Sequence, residues 1–330
     1  GVIMTISLKL SDAAEEIPVA NSLHRRAPFM KSTLQPREPY PSLIKLELTE
    51  TDTDLLIKDT LEALDNVGMF GYRLRGKRPD GSLKSDTGYL GMGLTYNPLH
   101  IDGIETDPHE QVQGNHFKHI KQEFGAKSGD GRVSPYSRMD QSEARTLAVR
   151  KDTHYDTYSM AFRTEGSKHG YLGTFLDSLK RSMVRSSLRI ISSHGSTQAM
   201  GQKGAERATQ RPGVAWHTDE MMFNNLRINI AIKTSKEFVL EQQTNVGKLI
   251  HLEAPYAYSW DTGIPHRAYC SEKPEEPFFR THIMLGVAPW FDFNEETQTW
   301  TQNEFYEKKH PWDMLCDGDI IPGAKLVRQD

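Results

Sequence analysis

The stretch VAWHTDEMMFNNLRINIAIKTSKEFVLEQ, residues 214–242, decides the fold. It contains three short β-prone runs, VAWHTDE, LRINIAIK and FVLEQ, and residues typical of turns, Asn or Ser, separate one run from the next. No helical pattern long enough to connect parallel strands lies between them. The stretch therefore predicts consecutive strands joined by short loops.

Runs of the same kind continue on both sides of this stretch, from about residue 187 to 288. They are LRIISSH (188–194), VAWHTDE (214–220), LRINIAIK (226–233), FVLEQ (238–242), KLIHLEA (248–254), YAYSWDT (256–262), HRAYCS (266–271) and RTHIMLGV (280–287). Such even spacing without intervening helices favours an all-β sandwich or barrel over a βαβ sheet, and eight strands suit a jelly roll of two sheets.

Helical patterns precede this series. The segment 49–73 predicts a helix, with Asp52 or Asp54 as its cap and Gly68 after its end. A second helix is predicted over GYLGTFLDSLKRSMV (170–184) and a short one over HFKHIKQEF (116–124). These helices are expected to cover one sheet.

The predicted fold class is therefore mainly β with flanking helices (α+β), around a jelly-roll core. We expect a helical and loop-rich N-terminal region over 1–186, the β core over 187–290 and a C-terminal extension over 291–330, all in a single compact domain.

Composition excludes several functional classes. The 330 residues carry a formal net charge of −4 with 25% charged residues, which is ordinary for a globular protein and gives no basic excess for nucleic acid. The basic stretch LKRSMVRSSLR (179–189) is interpreted as a solvated helix face. Two cysteines, Cys270 and Cys316, form no disulfide or zinc pattern. With no apolar run of about 18 residues, we expect a cytoplasmic protein without a membrane partner.

The polar residues of VAWHTDE point to chemistry. His217 and Asp219 lie two apart, so both side chains project from the same face at the end of a strand. Two histidines and one carboxylate are the ligand set of non-haem Fe(II), which leaves positions open for substrate and O₂. The same HxD pattern occurs at 100–102 and 154–156, but no comparable strand series follows either one.

The third ligand must come from elsewhere in the barrel. His266, which opens the seventh strand, is the best candidate, and His251 and His282 are its rivals. Arg280 begins the eighth strand, which we expect to pair antiparallel with the seventh. A guanidinium there suits the anchoring of a dicarboxylate, because its planar fork binds a carboxylate with two parallel hydrogen bonds.

In these residues the chain resembles the Fe(II)- and 2-oxoglutarate-dependent oxygenases, over about 187–290. The resemblance implies that the jelly-roll core over 187–290 is the cupin-like double-stranded β-helix of that family and is its catalytic core. The hallmark order HxD…H…R is met by His217, Asp219, His266 and Arg280. The aspartyl/asparaginyl β-hydroxylase and proline-hydroxylase branch is the most similar, since its RxHIPL-like strand corresponds to LRINIAI. The resemblance implies that Arg280, Arg227 and Asn229 line the co-substrate pocket, with Asn229 standing where that branch often has a histidine.

The resemblance also implies the cofactors and the reaction. Fe(II), 2-oxoglutarate and O₂ would oxidise an aliphatic C–H bond, most simply by hydroxylation, and release succinate and CO₂. The substrate would be a small polar molecule, amino-acid-like or a natural-product intermediate. A peptidyl Asp/Asn hydroxylase stays open as an alternative, as does a cupin-like metal protein that does not use 2-oxoglutarate and so does not need Arg280. Composition and spacing leave the oligomeric state undetermined.

Overall fold

The computed structural model describes residues 7–10, 15–18, 32–67, 70–71, 89–96, 161–193, 213–217, 219, 221–296 and 299–328. The predicted short helix over 116–124 and the two further HxD motifs lie outside these ranges. None of the described helices has the length and hydropathy of a membrane span.

Within the described ranges the chain is mainly β. Its strands are β1 (Ser7–Leu10), β2 (Glu15–Pro18), β3 (Leu43–Leu48), β4 (Phe70–Gly71), β5 (Tyr89–Gly93), β6 (Thr95–Tyr96), β7 (Phe162–Arg163), β8 (Ser187–Ser192), β9 (Gly213–His217), β10 (Leu226–Lys233), β11 (Phe238–Gln242), β12 (Ile250–His251), β13 (Ala257–Trp260), β14 (His266–Cys270), β15 (Phe279–Val287), β16 (Phe291–Asn294), β17 (Thr299–Gln302) and β18 (Ala324–Leu326). Its α-helices are α1 (Thr53–Val67), α2 (Gly170–Asp177) and α3 (Pro311–Cys316), and 3₁₀ turns cover Glu165–Lys168 and Gln243–Asn245.

Two sheets form the centre of the molecule. The main sheet has the strand order β18-β3-β13-β10-β15-β8-β5-β4, and the second sheet has the order β12-β11-β14-β9. Along the chain, β8 lies in the main sheet, β9 in the second, β10 in the main, β11 and β12 in the second, β13 in the main, β14 in the second and β15 in the main. This alternation between two sheets is a jelly roll. The eight predicted strands and the mainly β fold class are confirmed.

One predicted pairing is wrong. The seventh and eighth strands of the series, β14 and β15, do not pair with each other: β14 lies between β11 and β9, and β15 lies between β10 and β8. The reason is the jelly-roll topology: the connection from β14 to β15 crosses from the second sheet to the main sheet. His266 and Arg280 therefore project from facing sheets.

The outer face of the main sheet carries the larger core. Alternate residues of β10 and β15, including Ile228, Ile230 and Ile283, are fully buried, and they belong to one apolar cluster with Leu56 of α1 and Phe175 of α2. Asp52 caps α1 as predicted, since its Oδ1 accepts the Leu55 N–H at 3.0 Å. The helices thus cover one sheet, as the sequence suggested.

The second helix is shorter than predicted, because it ends at Asp177. The residues that follow form backbone hydrogen bonds to distant segments. Lys180 N–H donates to Ile320 O at 2.9 Å, and Val184 N–H donates to Gly286 O at 2.9 Å. The interpretation of 179–189 as a solvated helix face is also wrong, because β8 begins within it and Arg189 is only 6% exposed.

The inner faces of the two sheets meet in smaller clusters. Ile191 of β8 packs with Phe238 of β11 and Cys270 of β14, and Tyr258 and Trp260 of β13 pack with Leu240 and Leu252. Ile191 and Tyr258 thus identify the inner face of the main sheet, on which the candidate site lies.

Candidate active site

His266 and Asp219 meet at one end of the second sheet. His266 is 3% exposed and opens β14, and its Nδ1 lies 2.9 Å from the carbonyl oxygen of Ile264. Because a carbonyl only accepts hydrogen bonds, Nδ1 is the nitrogen that donates here, which leaves Nε2 as the ring nitrogen available to a metal ion. That Nε2 lies 3.6 Å from Oδ2 of Asp219. A metal-binding histidine has this same arrangement, with one nitrogen fixed by a carbonyl and the other facing the ion.

The backbone brings His217 to the same place. In the antiparallel register of β9 and β14, His217 is the Cα partner of His266. Two residues later, the Asp219 N–H donates to the carbonyl of Thr262 at 2.8 Å, which ties the segment after β9 to the loop between β13 and β14. The three predicted ligands are therefore neighbours at one sheet end, with His217 placed by its backbone and the other two also by their side chains.

This donor set fits an iron site. Two imidazoles and a carboxylate bind Fe(II) on one face and leave the opposite positions open. Among the side chains that the structure describes, no group of three or more His, Cys, Asp or Glu is close enough to hold a metal ion. The structure describes the side chains of His266 and Asp219 but only the backbone of His217. The fit therefore rests on the His266–Asp219 pair and on the register of His217.

Trp260 adds a polar group beside this pair. Its ring is 5% exposed and meets the His266 ring edge-on, with 5.6 Å between the centroids. Its Nε1–H is buried and finds no acceptor in the described part of the chain. A buried donor without an acceptor costs about 1–3 kcal/mol, so a ligand oxygen bound at this end of the barrel would satisfy it.

Arg280 lies on the facing sheet, directed into the barrel. It is 3% exposed and is the register partner of Ile191, which identifies its side chain as inward-facing. Its Nη2 donates to Oδ1 of Asn229 at 3.3 Å, and Nη1 contacts Nδ1 of His282. Asn229 is itself the partner of Tyr258 on the inner face. Arg280 and Asn229, predicted to share a pocket, are therefore in contact.

The rival histidines stand apart from the His266–Asp219 pair. His282 contacts Arg280 in the main sheet. Burial, followed by the charges of Arg280 and Arg189, holds the pKa of His282 well below its usual value, so this ring is neutral. Because a guanidinium can only donate, His282 Nδ1 accepts from Arg280 and the ring proton lies on Nε2. His251 is in β12, at the far edge of the second sheet from β9, with Nδ1 3.1 Å from Phe238 O.

Arg227 is buried on the same inner face, two residues before Asn229 in β10. Its Nη1 donates to the carbonyl of Arg185 at 2.9 Å. Its register partner is Gly286, where a Cβ would come within 2.3 Å of the carbonyl of Val184. Because β10 and β13 are antiparallel and Asn229 is the partner of Tyr258, Arg227 lies at the end of β10 that is next to Trp260. One of its donors is bound to the backbone.

Sequence reasoning missed Arg189. This residue lies in the middle of β8, is 6% exposed and is the register partner of His282, so it also faces inward. Its Nε donates to Ser187 Oγ at 2.5 Å. A charged residue inside the apolar run LRII of a predicted strand was the signal, and the interpretation of 179–189 as a solvated basic face concealed it.

Comparison with models of protein families and with curated proteins gives no match. Several solved structures are distantly similar. IDO from Bacillus thuringiensis is 10% identical over 74% of this chain and 88% of that chain, with a TM-score of 0.27. A full-length protein from Neurospora crassa, solved in complex with alpha-KG, is 14% identical over 82% of each chain, with a TM-score of 0.34. The non-heme alpha ketoglutarate dependent epimerase SnoN from nogalamycin biosynthesis is 12% identical over 62% of this chain and 77% of that chain, with a TM-score of 0.21. Because these TM-scores are low, the jelly-roll assignment rests on the strand order.

Proposed function

We propose that this chain is an Fe(II)- and 2-oxoglutarate-dependent dioxygenase that hydroxylates an aliphatic carbon of a small, polar, amino-acid-like molecule. The observation that carries the proposal is the position of His266 and Asp219 on one side of the barrel and of the buried Arg280 on the facing sheet. A metal-ligand pair and a buried cation on opposite walls suit a co-substrate that has a chelating end and a carboxylate end.

Each residue has a defined part in this proposal. His217, Asp219 and His266 would hold Fe(II), and Arg280 would bind the far carboxylate of 2-oxoglutarate. When bound, the metal, 2-oxoglutarate and O₂ supply the oxidation of a C–H bond, with release of succinate and CO₂. The Ile264 carbonyl fixes the His266 ring so that Nε2 faces the site.

The apolar cluster between the sheets supports the same chemistry. Leu240, Leu252, Tyr258 and Trp260 are each at most 5% exposed, and they form the wall beside His266. A dry wall strengthens the electrostatic interactions inside the site and protects a reactive centre from solvent. The inner face also carries Arg227, so a substrate with a carboxylate group would find a cation at the Trp260 end of the barrel.

The test is to add Fe(II) and then 2-oxoglutarate to the metal-free protein without oxygen. We expect the weak visible charge-transfer band of a chelated 2-oxo acid, and its loss in His217→Ala. A protein that binds Fe(II) but never develops this band would instead be a metal-binding cupin. Succinate release should then be screened against free amino acids, amino-acid derivatives and short peptides. Stimulation by peptides alone would contradict the small-molecule substrate.

A further inference from the structure

The inner face of the main sheet carries two buried arginines around one neutral histidine. Arg280 and His282 lie two residues apart on β15, so they share a face, and Arg189 of β8 is directly opposite His282 in the register. Side chains directly opposite each other in an antiparallel pair have Cβ atoms about 5 Å apart. Arg189, Arg280 and His282 are 6%, 3% and 3% exposed. The cluster is therefore a compact, buried, cationic part of the barrel wall.

The neighbours of each arginine fix its orientation. Asn229 and His282 hold two nitrogens of Arg280. Ser187, two residues before Arg189 on the same face, accepts from Nε of Arg189 at 2.5 Å, which fixes one edge of that guanidinium. Burial lowers the pKa of His282 most, and the charges of Arg280 and Arg189 lower it further, so both guanidiniums act on the same ring.

His282 adds a neutral donor to the two cations. Its Nδ1 accepts from Arg280, so its Nε2 carries the proton and donates. The two guanidiniums and the imidazole N–H therefore form a set of donors on one patch. The acceptor nitrogen of the ring, Nδ1, is already bound to Arg280. Such a set suits a carboxylate, which has two oxygens and about four lone-pair sites to be filled.

We infer that Arg189 is the second arm of the carboxylate clamp, so that the distal carboxylate of 2-oxoglutarate is held by Arg189 and Arg280 together. This inference rests on the proposed function. It assigns to Arg189 a specificity-determining part: the residue discriminates 2-oxoglutarate from 2-oxo acids of the same length that lack the second carboxylate.

The experiment compares two ligands on Mn(II)-loaded protein by calorimetric titration, without turnover. The ligands are 2-oxoglutarate and 2-oxopentanoate, which has the same carbon chain without the distal carboxylate. We expect Arg189→Met to raise the Kd of 2-oxoglutarate by about ten-fold or more, because a charge-assisted hydrogen bond is lost. The Kd of 2-oxopentanoate should stay within about two-fold, because that ligand has no distal carboxylate for either arginine to bind.

Two controls separate this effect from general damage. Arg163→Met removes a cation whose partners are Ser167 and Asp177, outside the candidate site, and should leave both Kd values unchanged. Arg189→Lys keeps the charge and should recover part of the affinity for 2-oxoglutarate. Retained binding of 2-oxopentanoate shows that Arg189→Met is folded and keeps its metal site.

The outcomes are distinguishable. Equal affinity of wild type and Arg189→Met for 2-oxoglutarate, with a weakened Arg280→Met, would overturn the two-arginine clamp and leave the proposed function standing. Equal loss of both ligands in Arg189→Met would also overturn it, since the residue would then act on the fold or the metal end. A wild-type protein that binds Mn(II) but neither 2-oxo acid would overturn the proposed function itself, and the clamp with it.

Discussion

The ion pair between Glu241 and Arg267 is expected to stabilise the sheet that carries His266. The two residues face each other in the register of β11 and β14, next to His266. Glu241 is 2% exposed, and its carboxylate accepts from Gly247 N–H at 2.9 Å, from Arg267 Nε at 2.8 Å and from Tyr269 Oη at 3.4 Å. Replacing Glu241 by Gln keeps the shape but removes the charge and turns an amide NH₂ toward donors.

The magnitude follows from burial. Removing one partner of a fully buried pair costs about 3–5 kcal/mol, but the Arg267 side chain is 28% exposed and stays partly hydrated without Glu241. We therefore expect Glu241→Gln to lower the free energy of unfolding by about 2–3 kcal/mol, and Arg267→Met by a similar amount. The coupling energy of the double variant should be about 1–2 kcal/mol.

The assay is urea unfolding followed by tryptophan fluorescence near neutral pH, where the carboxylate is charged. Burial raises the pKa of Glu241, but the Gly247 N–H and the Arg267 guanidinium outweigh burial and hold the pKa below its ordinary value. The pair therefore contributes fully above the unfolded pKa of about 4.3 and loses its contribution as the pH falls through the folded pKa.

Glu253→Gln is the matched control, because it breaks an ion pair with Lys45 whose side chains are 51% and 20% exposed. It should cost less than about 1 kcal/mol, as exposed pairs do. A Glu241–Arg267 coupling no larger than that of the Lys45–Glu253 pair would refute the argument from burial.

Three further predictions concern the candidate site. Asp219→Ala should abolish Fe(II) binding in a titration of the metal-free protein, whereas His251→Ala should not; full iron occupancy in the Asp219 variant would remove that residue from the ligand set. Arg280→Met should raise the Kd of 2-oxoglutarate by about ten- to a hundred-fold, because a bidentate charge-assisted pair is lost, and Arg280→Lys should restore only part; an unchanged Kd would move the anchor elsewhere. The folded pKa of His282 is depressed, so below about pH 6.5 the unfolded chain takes up a proton that the folded chain does not. This histidine should therefore lower the free energy of unfolding by up to about 1.4 kcal/mol per pH unit below that pH. Urea unfolding at pH 7 and at pH 5.5 should show a shallower loss in His282→Gln, and an equal loss in both proteins would contradict the neutral, buried ring.

The strands of the barrel were predictable because a strand depends on local composition and on the turns beside it. All eight runs between 187 and 288 form strands. Which sheet each strand joins depends on contacts far apart in the sequence, so β14 and β15 were wrongly paired. The second helix failed for the same reason: the backbone of Lys180 and Val184 bonds to residues over 100 positions away, and these bonds override a helical pattern.

Candidate ligands were easier to find than the cations around them. His217 and Asp219 have the i, i+2 spacing that places two ligands on one face of a strand, and His266 follows them in the order of the family that the chain resembles. The structure brings the three to one sheet end. Arg189 belongs to no motif. Its importance appears only when the register sets it opposite His282, because alternation alone does not tell which face of a strand is the inner one.

The pleat of the strands separates stability from chemistry in the main sheet. On β15, Ile283 and Leu285 are fully buried against the helices, while Arg280 and His282 alternate with them on the other face. Each fully buried Ile or Leu contributes about 1.5–3 kcal/mol, and β10 adds Ile228 and Ile230 to the same layer, whereas buried cations and unsatisfied donors cost free energy. The outer face can therefore offset the cost of the inner one. Because of this division, a sheet that anchors the core can also present a row of buried guanidiniums to a ligand.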